Sequence, residues 1–322
     1  MKTTLSLRDA GLALAVVAVW GTNFVVIKVA LATLPPLLLA TLRFTLVLLP
    51  AVFFLPRPRV GWSNLALYGF AIGLGQFGML FLAMNGLISP GLASLVVQMQ
   101  VFFTIALSVW RGGERIAAHQ IAAFVLAVAG MGVIAVHNGH GTTVTGLVLT
   151  LLAGLGWAVG NQTAREAAQR THVNMLAYVV WASLFSVPPL AALSLLVEGW
   201  PTIVRSVVHA PPAVWVAVAW QSVGNTLFGY TVWNWLLSRY PAATVTPTSL
   251  LVPVFGIGAS ALLLGESLQG WKMAASAAVM AGLAVNLLWP KTRNAGVLPS
   301  ADKDIVEPAG MEDTASAAKP SP

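Results

Sequence analysis

The residues best suited to bind a small polar molecule lie inside long apolar stretches. Arg43 is near the middle of the stretch LLLATLRFTLVL. A central arginine costs about 2.5–3.5 kcal/mol on insertion scales, so it must face protein, water or a bound solute. Two interpretations remain open: the guanidinium binds a carboxylate in bidentate fashion, or it ties its helix to polar groups of neighbouring helices. Lys28, near the end of its apolar run, is better placed to reach the membrane surface.

Side-chain amides form the second group of candidates. An amide offers donors and acceptors without a full charge, which suits a small zwitterion. The alternative is that these amides only join one helix to another, as many do in lipid. Gln98 and Gln100 lie two residues apart, so at most one of them faces a cavity fully on a regular helix. The amides within or beside apolar runs are Asn23, Gln76, Asn85, Gln98, Gln100, Asn161, Gln162, Gln221 and Asn225.

The acidic residues lie outside the apolar runs or at their ends. Five are in the C-terminal tail, and the others are Asp9, Glu114, Glu166, Glu198 and Glu266. A proton relay through a central carboxylate is therefore not expected. A membrane-integral enzyme would need His, Asp or Glu clustered at one depth, and the runs contain no such cluster. We accordingly expect no catalytic residue, no metal ion and no cofactor.

The composition indicates that the segments carrying these residues lie in a membrane. Of the 322 residues, 57% are hydrophobic and only 8% are charged, against about 25% charged in soluble domains. The apolar runs last roughly 20 residues, enough for a helix to cross the bilayer, whereas a barrel would show alternating strands of about 10 residues. The net charge of +7 does not indicate nucleic acid, because the basic residues occur singly or in pairs at the ends of apolar runs.

Apolar runs separated by Pro, Gly or charged residues predict ten membrane-spanning helices. The first run is too long for a signal-peptide core and is expected to stay as span 1. Trp20 falls in span 1 and Trp157 in span 6. The approximate limits are 10–29, 36–55, 65–87, 91–110, 119–137, 144–164, 174–197, 212–237, 242–264 and 270–289.

The positions of Lys and Arg predict the orientation of these spans. With the N-terminus inside the cell, twelve basic residues fall on the inner side, and only Lys28, Arg205 and Lys272 fall on the outer side. Cytoplasmic loops of membrane proteins carry such an excess. Both termini are therefore predicted to be cytoplasmic. The polar tail, 291–322, has no apolar periodicity and is predicted to be disordered.

The chain also repeats itself. Positions 90–133 match positions 242–285 without gaps at ten of 44 places, including Gly113-Glu114 against Gly265-Glu266. Each half, 1–137 and 144–290, has five spans, and an odd number makes the second half enter the membrane from the opposite side. We therefore predict an all-α polytopic membrane protein with ten transmembrane helices in two inverted five-helix repeats, an arrangement that places a binding site near the midplane.

Proline distinguishes the two copies. Span 9 has Pro247 and Pro253 where span 4 has Leu95 and Val101. A proline inside a helix removes one backbone hydrogen bond and frees a carbonyl, which protein or water must then satisfy. We expect span 9 to be kinked at Pro253 and to line a cavity.

Four stretches resemble the EamA family of the drug/metabolite transporter superfamily, in particular its exporters of O-acetylserine and cysteine. The stretches are VWGTNFVVIKVAL (19–31), LPPLLLATLRF (34–44), GLASLVVQMQVFFTI (91–105) and SLLVPVFGIGASALLLGE (249–266). The resemblance covers residues 8–290 and implies a central cavity walled by spans 1, 3, 4, 6, 8 and 9. By position, it brings Asn23, Gln76, Gln98, Asn161, Gln221 and Pro253 near the substrate.

The expected function is thus that of a secondary carrier in the bacterial inner membrane, which exports small amino acids or related metabolites by alternating access. Its expected partners are an amino-acid-like solute and the lipid bilayer, with no nucleic acid, and the oligomeric state is left open. The alternatives are a carrier of aromatic amino acids, drugs or other metabolites on the same fold, a membrane-integral enzyme, and a channel-like bundle. The residues proposed to contact substrate are Trp20, Asn23, Arg43, Gln76, Gln98, Gln100, Trp157, Asn161, Gln221 and Pro253.

Overall fold

A computed structural model describes residues 5–112, 117–137, 142–170, 173–240 and 242–289. Helices make up nearly all of these residues, and the spans keep the numbers given above. The predicted tail and Gly113-Glu114 lie outside the described residues. Span 1 is Leu7–Leu31, and span 2 consists of Pro36–Leu48 and Ala51–Phe54. Span 3 consists of Trp62–Phe70, Ala71–Gly78 and Met79–Met84. Span 4 consists of Pro90–Val96, Val97–Met99 and Gln100–Gly112, and span 5 is Ala118–Val136.

The second half contains one helix more than the sequence predicts. Spans 6 and 7 are Val144–Arg170 and Met175–Leu193 with Ser194–Glu198. A short helix, Trp200–His209, precedes span 8, which consists of Pro212–Ala219, Trp220–Phe228 and Gly229–Arg239. Span 9 is Ala242–Val245, Thr246–Leu250 and Leu251–Leu264, and span 10 is Gly270–Leu288.

Among the described residues, nine helices are long and apolar enough to cross a membrane. A tenth is obtained when Trp200–His209 and the start of span 8, bent by 103° relative to each other, are counted as one span. The bend follows from Pro211 and Pro212, because proline cannot continue a helix and suits the first position of the next one. The protein is therefore an all-helical polytopic membrane protein, as predicted.

Ordinary capping chemistry sets several helix ends. Ser6 accepts a hydrogen bond from the backbone N–H of Asp9 at the start of span 1. Proline occupies the first turn of spans 2 and 4. Span 9 ends at Gly265, whose φ of 66° lies in the left-handed region that a glycine adopts without strain.

Two carboxylates cap helices that are distant in sequence. Glu198, at the end of span 7, accepts the backbone N–H groups of Leu37 and Leu38 at 2.6 and 3.0 Å. Glu266 follows span 9 and accepts the backbone N–H of Gly91 at 3.1 Å, while it also pairs with Lys272 at 3.0 Å. Negative charge is favourable at helix N-termini. The two acids thus have a structural role, because they tie span 7 to span 2 and span 9 to span 4.

Four spans depart from α-helical geometry near their middle. Spans 3 and 8 contain π-helical segments, 71–78 and 220–228, and spans 4 and 9 contain 3-10 turns, 97–99 and 246–250. The irregular part of span 9 is the 3-10 segment Thr246–Leu250, with Pro247 in its first turn, and does not lie at Pro253, where we predicted a kink. Pro253 belongs to the first turn of the next helix, where the missing N–H costs no hydrogen bond. Span 4 breaks without any proline.

The spans pack as one compact unit that ends at Trp289. Three pairs join corresponding spans of the two halves: span 5 packs on span 10, span 2 on span 7, and span 4 on span 9. Two further contacts correspond to each other, because span 1 packs on span 9 and span 6 packs on span 4. An internal two-fold relation between the halves would produce these pairings, although their inverted orientation stays a prediction. Close glycine contacts bring backbones together: a Cβ on Gly156 would lie 2.7 Å from the backbone nitrogen of Gln76 in span 3.

Candidate binding cavity

A cavity lies where the irregular segments of spans 3, 4 and 8 approach spans 1, 6 and 9. It contains about 500 Å³ of space not filled by protein atoms, of which about 40 Å³ is open to the centre of a water molecule. Its polar lining includes Asn23, Gln76 and Gln98, whose side chains are only 3%, 2% and 4% exposed. The full lining is Trp20, Asn23, Phe24, Ile27, Gln76, Phe77, Leu80, Val97, Gln98, Trp157, Asn225, Tyr230 and Val252.

Trp20 joins span 1 to the π-helical segment of span 8. Its indole Nε1–H donates to the backbone carbonyl of Asn225 at 3.2 Å. The indole lies so close to Gly229 that a Cβ there would meet Nε1 at 2.4 Å. A carbonyl in irregular backbone at membrane depth must be satisfied by protein or water, and Trp20 satisfies this one. Its rings also contact Trp233, with centroids 5.2 Å apart, which gives the cavity an aromatic wall.

Arg43 lies in a second, smaller compartment beside the cavity. The compartments share Phe77 and Tyr230 in their linings. The Arg43 side chain is 0% exposed, its Nη2 donates to Thr226 Oγ1 at 2.9 Å, and its Nη1 donates to Gln221 Oε1 at 3.4 Å. The guanidinium carbon lies 3.6 Å from the centroid of the Phe77 ring, a close cation–π contact. The structural interpretation of Arg43 therefore has direct support, and the carboxylate interpretation remains a proposal.

The partners of Arg43 all come from the π-helical segment of span 8. Ser222 Oγ donates to the backbone carbonyl of Arg43 at 3.0 Å, and Thr226 Oγ1 donates to the carbonyl of Gln221 at 3.0 Å. Local widening of a helix frees backbone groups, and the Thr226 hydroxyl occupies one of them, the carbonyl of Gln221, while Ser222 links the segment to span 2. The irregular segment thus positions the side chains that hold Arg43. Such segments are frequent at functional sites.

The remaining predicted residues are placed differently. Gln98 lines the cavity and donates from Nε2 to the carbonyl of Ser249 at 3.4 Å, whereas Gln100 does not line it, in agreement with their spacing. Asn161 is exposed and accepts from the indole of Trp157 at 3.1 Å, so it orients a lining residue without lining the cavity itself. Pro253 is buried beside the lining residue Val252.

Three aromatic residues of the lining were missed by the sequence analysis. Phe24 and Phe77 directly follow Asn23 and Gln76, and Tyr230 follows the π-helical segment of span 8. In a chain this rich in apolar residues, a phenylalanine beside an amide gives no separate signal. The tyrosine hydroxyl is a detectable signal, since the chain has only four tyrosines and a buried hydroxyl needs a partner.

The cavity is sealed toward one face of the molecule. Leu80, Leu92 and Leu95 fill that side and are at most 2% exposed. There the first helix of span 4, Pro90–Val96, packs against spans 1, 6 and 9, whereas Gln100–Gly112 at the other end packs mainly against span 6. The sealed face carries the Glu198 and Glu266 caps. The looser end lies toward the face where span 1 begins and span 10 ends.

Comparison with known proteins identifies the architecture. The model of the EamA-like transporter family matches this chain twice, over residues 9–136 and 144–288. The chain belongs to the EamA-like transporter family. A crystal structure with 20% sequence identity and a TM-score of 0.62 covers 90% of this chain and 99% of its own, which shows the shared fold. The EamA protein described here is a membrane transporter and not an enzyme.

Several curated relatives cover nearly all of the transmembrane part. A probable amino-acid metabolite efflux pump of Salmonella typhimurium is 42% identical over 292 residues, 90% of this chain and 98% of the relative. A protein of Escherichia coli with the same description is 40% identical over 294 residues, with the same shares covered. A probable terminal-alkyne amino-acid exporter of Streptantibioticus cattleyicolor is 26% identical over 258 residues, 78% of this EamA chain and 83% of the relative.

Proposed function

We propose that this protein exports small amino acids or related metabolites, of the O-acetylserine and cysteine type, across the bacterial inner membrane. The observation that carries the proposal is the central cavity, which is lined by amides on four spans. The description of the two relatives at 40% and 42% identity as probable amino-acid metabolite efflux pumps supports the same substrate class.

The chemistry of the lining suits a small zwitterion. Amides bind charged ends without placing a permanent charge in the membrane, and the aromatic wall of Trp20 and Tyr230 excludes water. No carboxylate lines this cavity in the described part of the chain. The site therefore attracts no metal ion, and transport through it does not depend on protonation of an Asp or Glu within the lining.

Transport proceeds by alternating access in this proposal. The two five-span halves, inverted relative to each other, rock around the cavity, and both chain ends stay cytoplasmic. The sealed face is then periplasmic and the looser end cytoplasmic, so the described conformation is prepared to load substrate from the cell. The irregular segments of spans 3, 4, 8 and 9 supply bending points at the depth of the cavity.

The principal rival is export of aromatic amino acids, drugs or other larger metabolites by the same fold. The narrowness of the cavity favours small substrates. Discrimination between the two requires transport measurements rather than volume alone.

The test is efflux of amino acids from cells with and without this protein. Cells are loaded in turn with O-acetylserine, cysteine and tryptophan, and the measurement is repeated after the proton gradient is collapsed. We expect faster release of O-acetylserine and cysteine when the protein is present, with tryptophan unchanged. Equal release of all small polar amino acids in both strains would refute the proposal, and release of tryptophan alone would favour the rival.

A further inference from the structure

Four buried polar atoms around the two compartments have no hydrogen-bond partner. In the central cavity they are the acceptors Asn23 Oδ1 and Gln76 Oε1. Beside them, the donors are Nε of Arg43, which lines the second compartment, and Nε2 of Gln221, which lines neither space but accepts from Arg43 through its Oε1. All four side chains are at most 3% exposed. The unpartnered acceptors thus line the central cavity, and the unpartnered donors lie at and next to the Arg43 compartment, which shares Phe77 and Tyr230 with the cavity.

An unsatisfied buried polar atom is unfavourable, so a functional site is a natural place to find several together. The donor side also carries the positive charge of Arg43, which makes no ion pair with a carboxylate among the described residues. Donors beside an unpaired guanidinium suit a carboxylate, which accepts several hydrogen bonds at once. Acceptors beside aromatic rings suit an ammonium group.

We propose that Arg43 and Gln221 form a carboxylate subsite behind Phe77, and that Asn23 and Gln76 bind the ammonium end of the same molecule. This inference rests on the proposed function and specifies its substrate class. The substrate is a free α-amino acid bound as a zwitterion. Its ammonium and carboxylate groups share one carbon, so the two subsites are filled together only after the Phe77 ring has moved from between them. The side chain of the bound amino acid then lies in the central cavity, where the lining is mostly apolar.

Phe77 controls access to the carboxylate subsite. Its ring covers the Arg43 guanidinium and also faces the central cavity. In the described conformation only about 10 Å³ of the Arg43 compartment is open to the centre of a water molecule, so a carboxylate enters only when the ring moves. The substrate carboxylate then stabilises the positive charge of Arg43, as the ring does when no substrate is bound. Molecules without a carboxylate leave Phe77 in place and bind only at the acceptor side.

The first experiment uses the unmodified full chain, purified and reconstituted into lipid vesicles. Uptake of radiolabelled L-cysteine under reducing conditions is measured with increasing unlabelled L-cysteine, L-cysteine methyl ester or cysteamine. The ester blocks the carboxylate and cysteamine lacks it, while both keep the amine and the thiol. Loss of charged hydrogen bonds typically weakens binding by about tenfold or more, so we expect both analogues to need at least about tenfold higher concentrations for half-inhibition. Inhibition by the ester within about twofold of L-cysteine would overturn the carboxylate subsite.

The second experiment asks whether the named residues supply this discrimination. Arg43→Gln and Gln221→Leu are expected to raise the KM for L-cysteine about tenfold and to leave half-inhibition by cysteamine within about twofold. Arg57→Gln is the matched control, because Arg57 stacks on Trp62 at 3.8 Å in an exposed position far from both compartments. Size-exclusion profiles identify variants that misfold. If Arg43→Gln misfolds, Gln221→Leu still tests the subsite, because it removes no charge.

The outcomes separate this inference from the proposed function. If the unmodified protein transports no small amino acid, the proposed function fails and the subsite fails with it. If it transports L-cysteine but accepts the ester equally, or if Gln221→Leu retains the wild-type KM and discrimination, only the subsite is overturned.

Discussion

Polar side chains at the cavity do two different tasks, and their hydrogen bonds distinguish them. Trp20, Ser222 and Thr226 satisfy backbone carbonyls with short, well-formed bonds, so their first task is to hold spans 1, 2 and 8 together. Asn23 and Gln76 leave an acceptor unused, and the bond from Gln98 to Ser249 is long at 3.4 Å. Groups of the second kind have hydrogen-bonding capacity left for a substrate.

Gln98→Ala tests this distinction. The exchange removes an amide from the lining but only one weak bond to span 9, so we expect the KM for an exported amino acid to rise about three- to tenfold with normal membrane insertion. Transport by purified protein in vesicles gives the KM. Gln269→Ala is the control, since Gln269 is exposed at the start of span 10 and should retain the wild-type KM. An unchanged KM in Gln98→Ala would remove this residue from the substrate contacts.

At the scale of helices, close backbone approach and carboxylate caps determine how the spans fit together. Gly69 and Gly73 contact span 7, and Gly156 and Gly160 contact span 3, so both pairs of glycines serve helix packing. The Glu198 and Glu266 caps work over longer range, because each satisfies backbone N–H groups of another span. These contacts set the distance between spans 3 and 6, on which the width of the cavity depends.

Gly156→Ala is expected to separate spans 3 and 6. The added methyl group would lie 2.6 Å from the carbonyl carbon of Gly75, and backbone atoms at that distance must move. Overpacking of this kind costs about 1–3 kcal/mol, so we predict a lower melting temperature and, because Gln76 shifts, reduced transport. Gly132→Ala is the matched control, since no atom lies within 4 Å of a Cβ at that position. Equal stability of the two variants would contradict this account.

Glu198→Ala is expected to loosen the sealed face. It removes two charge-assisted bonds to the first turn of span 2, at 2.6 and 3.0 Å, and leaves those N–H groups unpaired. We expect a loss of about 2 kcal/mol or more in the free energy of unfolding, measured as a lower melting temperature in detergent. Arg205→Ala, an exposed change on the following helix, should have little effect. If both variants melt alike, the cap does not contribute as described.

For the whole molecule, the asymmetry of packing defines which side the cavity serves. Tight contacts among spans 1, 4, 6 and 9 close one end, and among the residues that the structure describes the other end has fewer such contacts. A carrier must alternate between a form closed at this end and a form closed at the other. Substrate shifts the equilibrium between the two forms only if it binds them with different affinities. The absence of cysteine from the chain makes this exchange accessible to thiol labelling.

A single cysteine at Asn161 is expected to react with a membrane-impermeant maleimide from the cytoplasmic side only. Asn161 is exposed next to the lining residue Trp157, toward the looser end of the cavity. Labelling is compared in right-side-out and inverted vesicles, with Ala32→Cys as the control that should react only from the outside, because Ala32 is exposed between spans 1 and 2. Reaction of Asn161→Cys from the outside alone would reverse the assigned orientation.

The number of spans and the polar candidates could be predicted from the chain because each depends on local pattern. A run of about 20 apolar residues has one stable form in lipid, a helix, and an amide within it stands out. The short helix Trp200–His209 was missed because two turns of amphipathic sequence between apolar runs look like a loop. The break of span 4 has no proline to mark it, and the break of span 9 lies at Pro247 rather than Pro253.

By itself, then, the sequence determined an all-helical membrane protein with polar groups inside its apolar runs and one costly central arginine, because hydropathy and charge act along the chain. Only the tertiary structure decided which of those groups meet. It placed Asn23, Gln76 and Gln98 in one cavity, put Arg43 in a neighbouring compartment where it donates to Gln221, and left Gln100 outside. The reason is geometric: the direction of a side chain depends on helix rotation and on π and 3-10 segments, and packing between distant spans sets both.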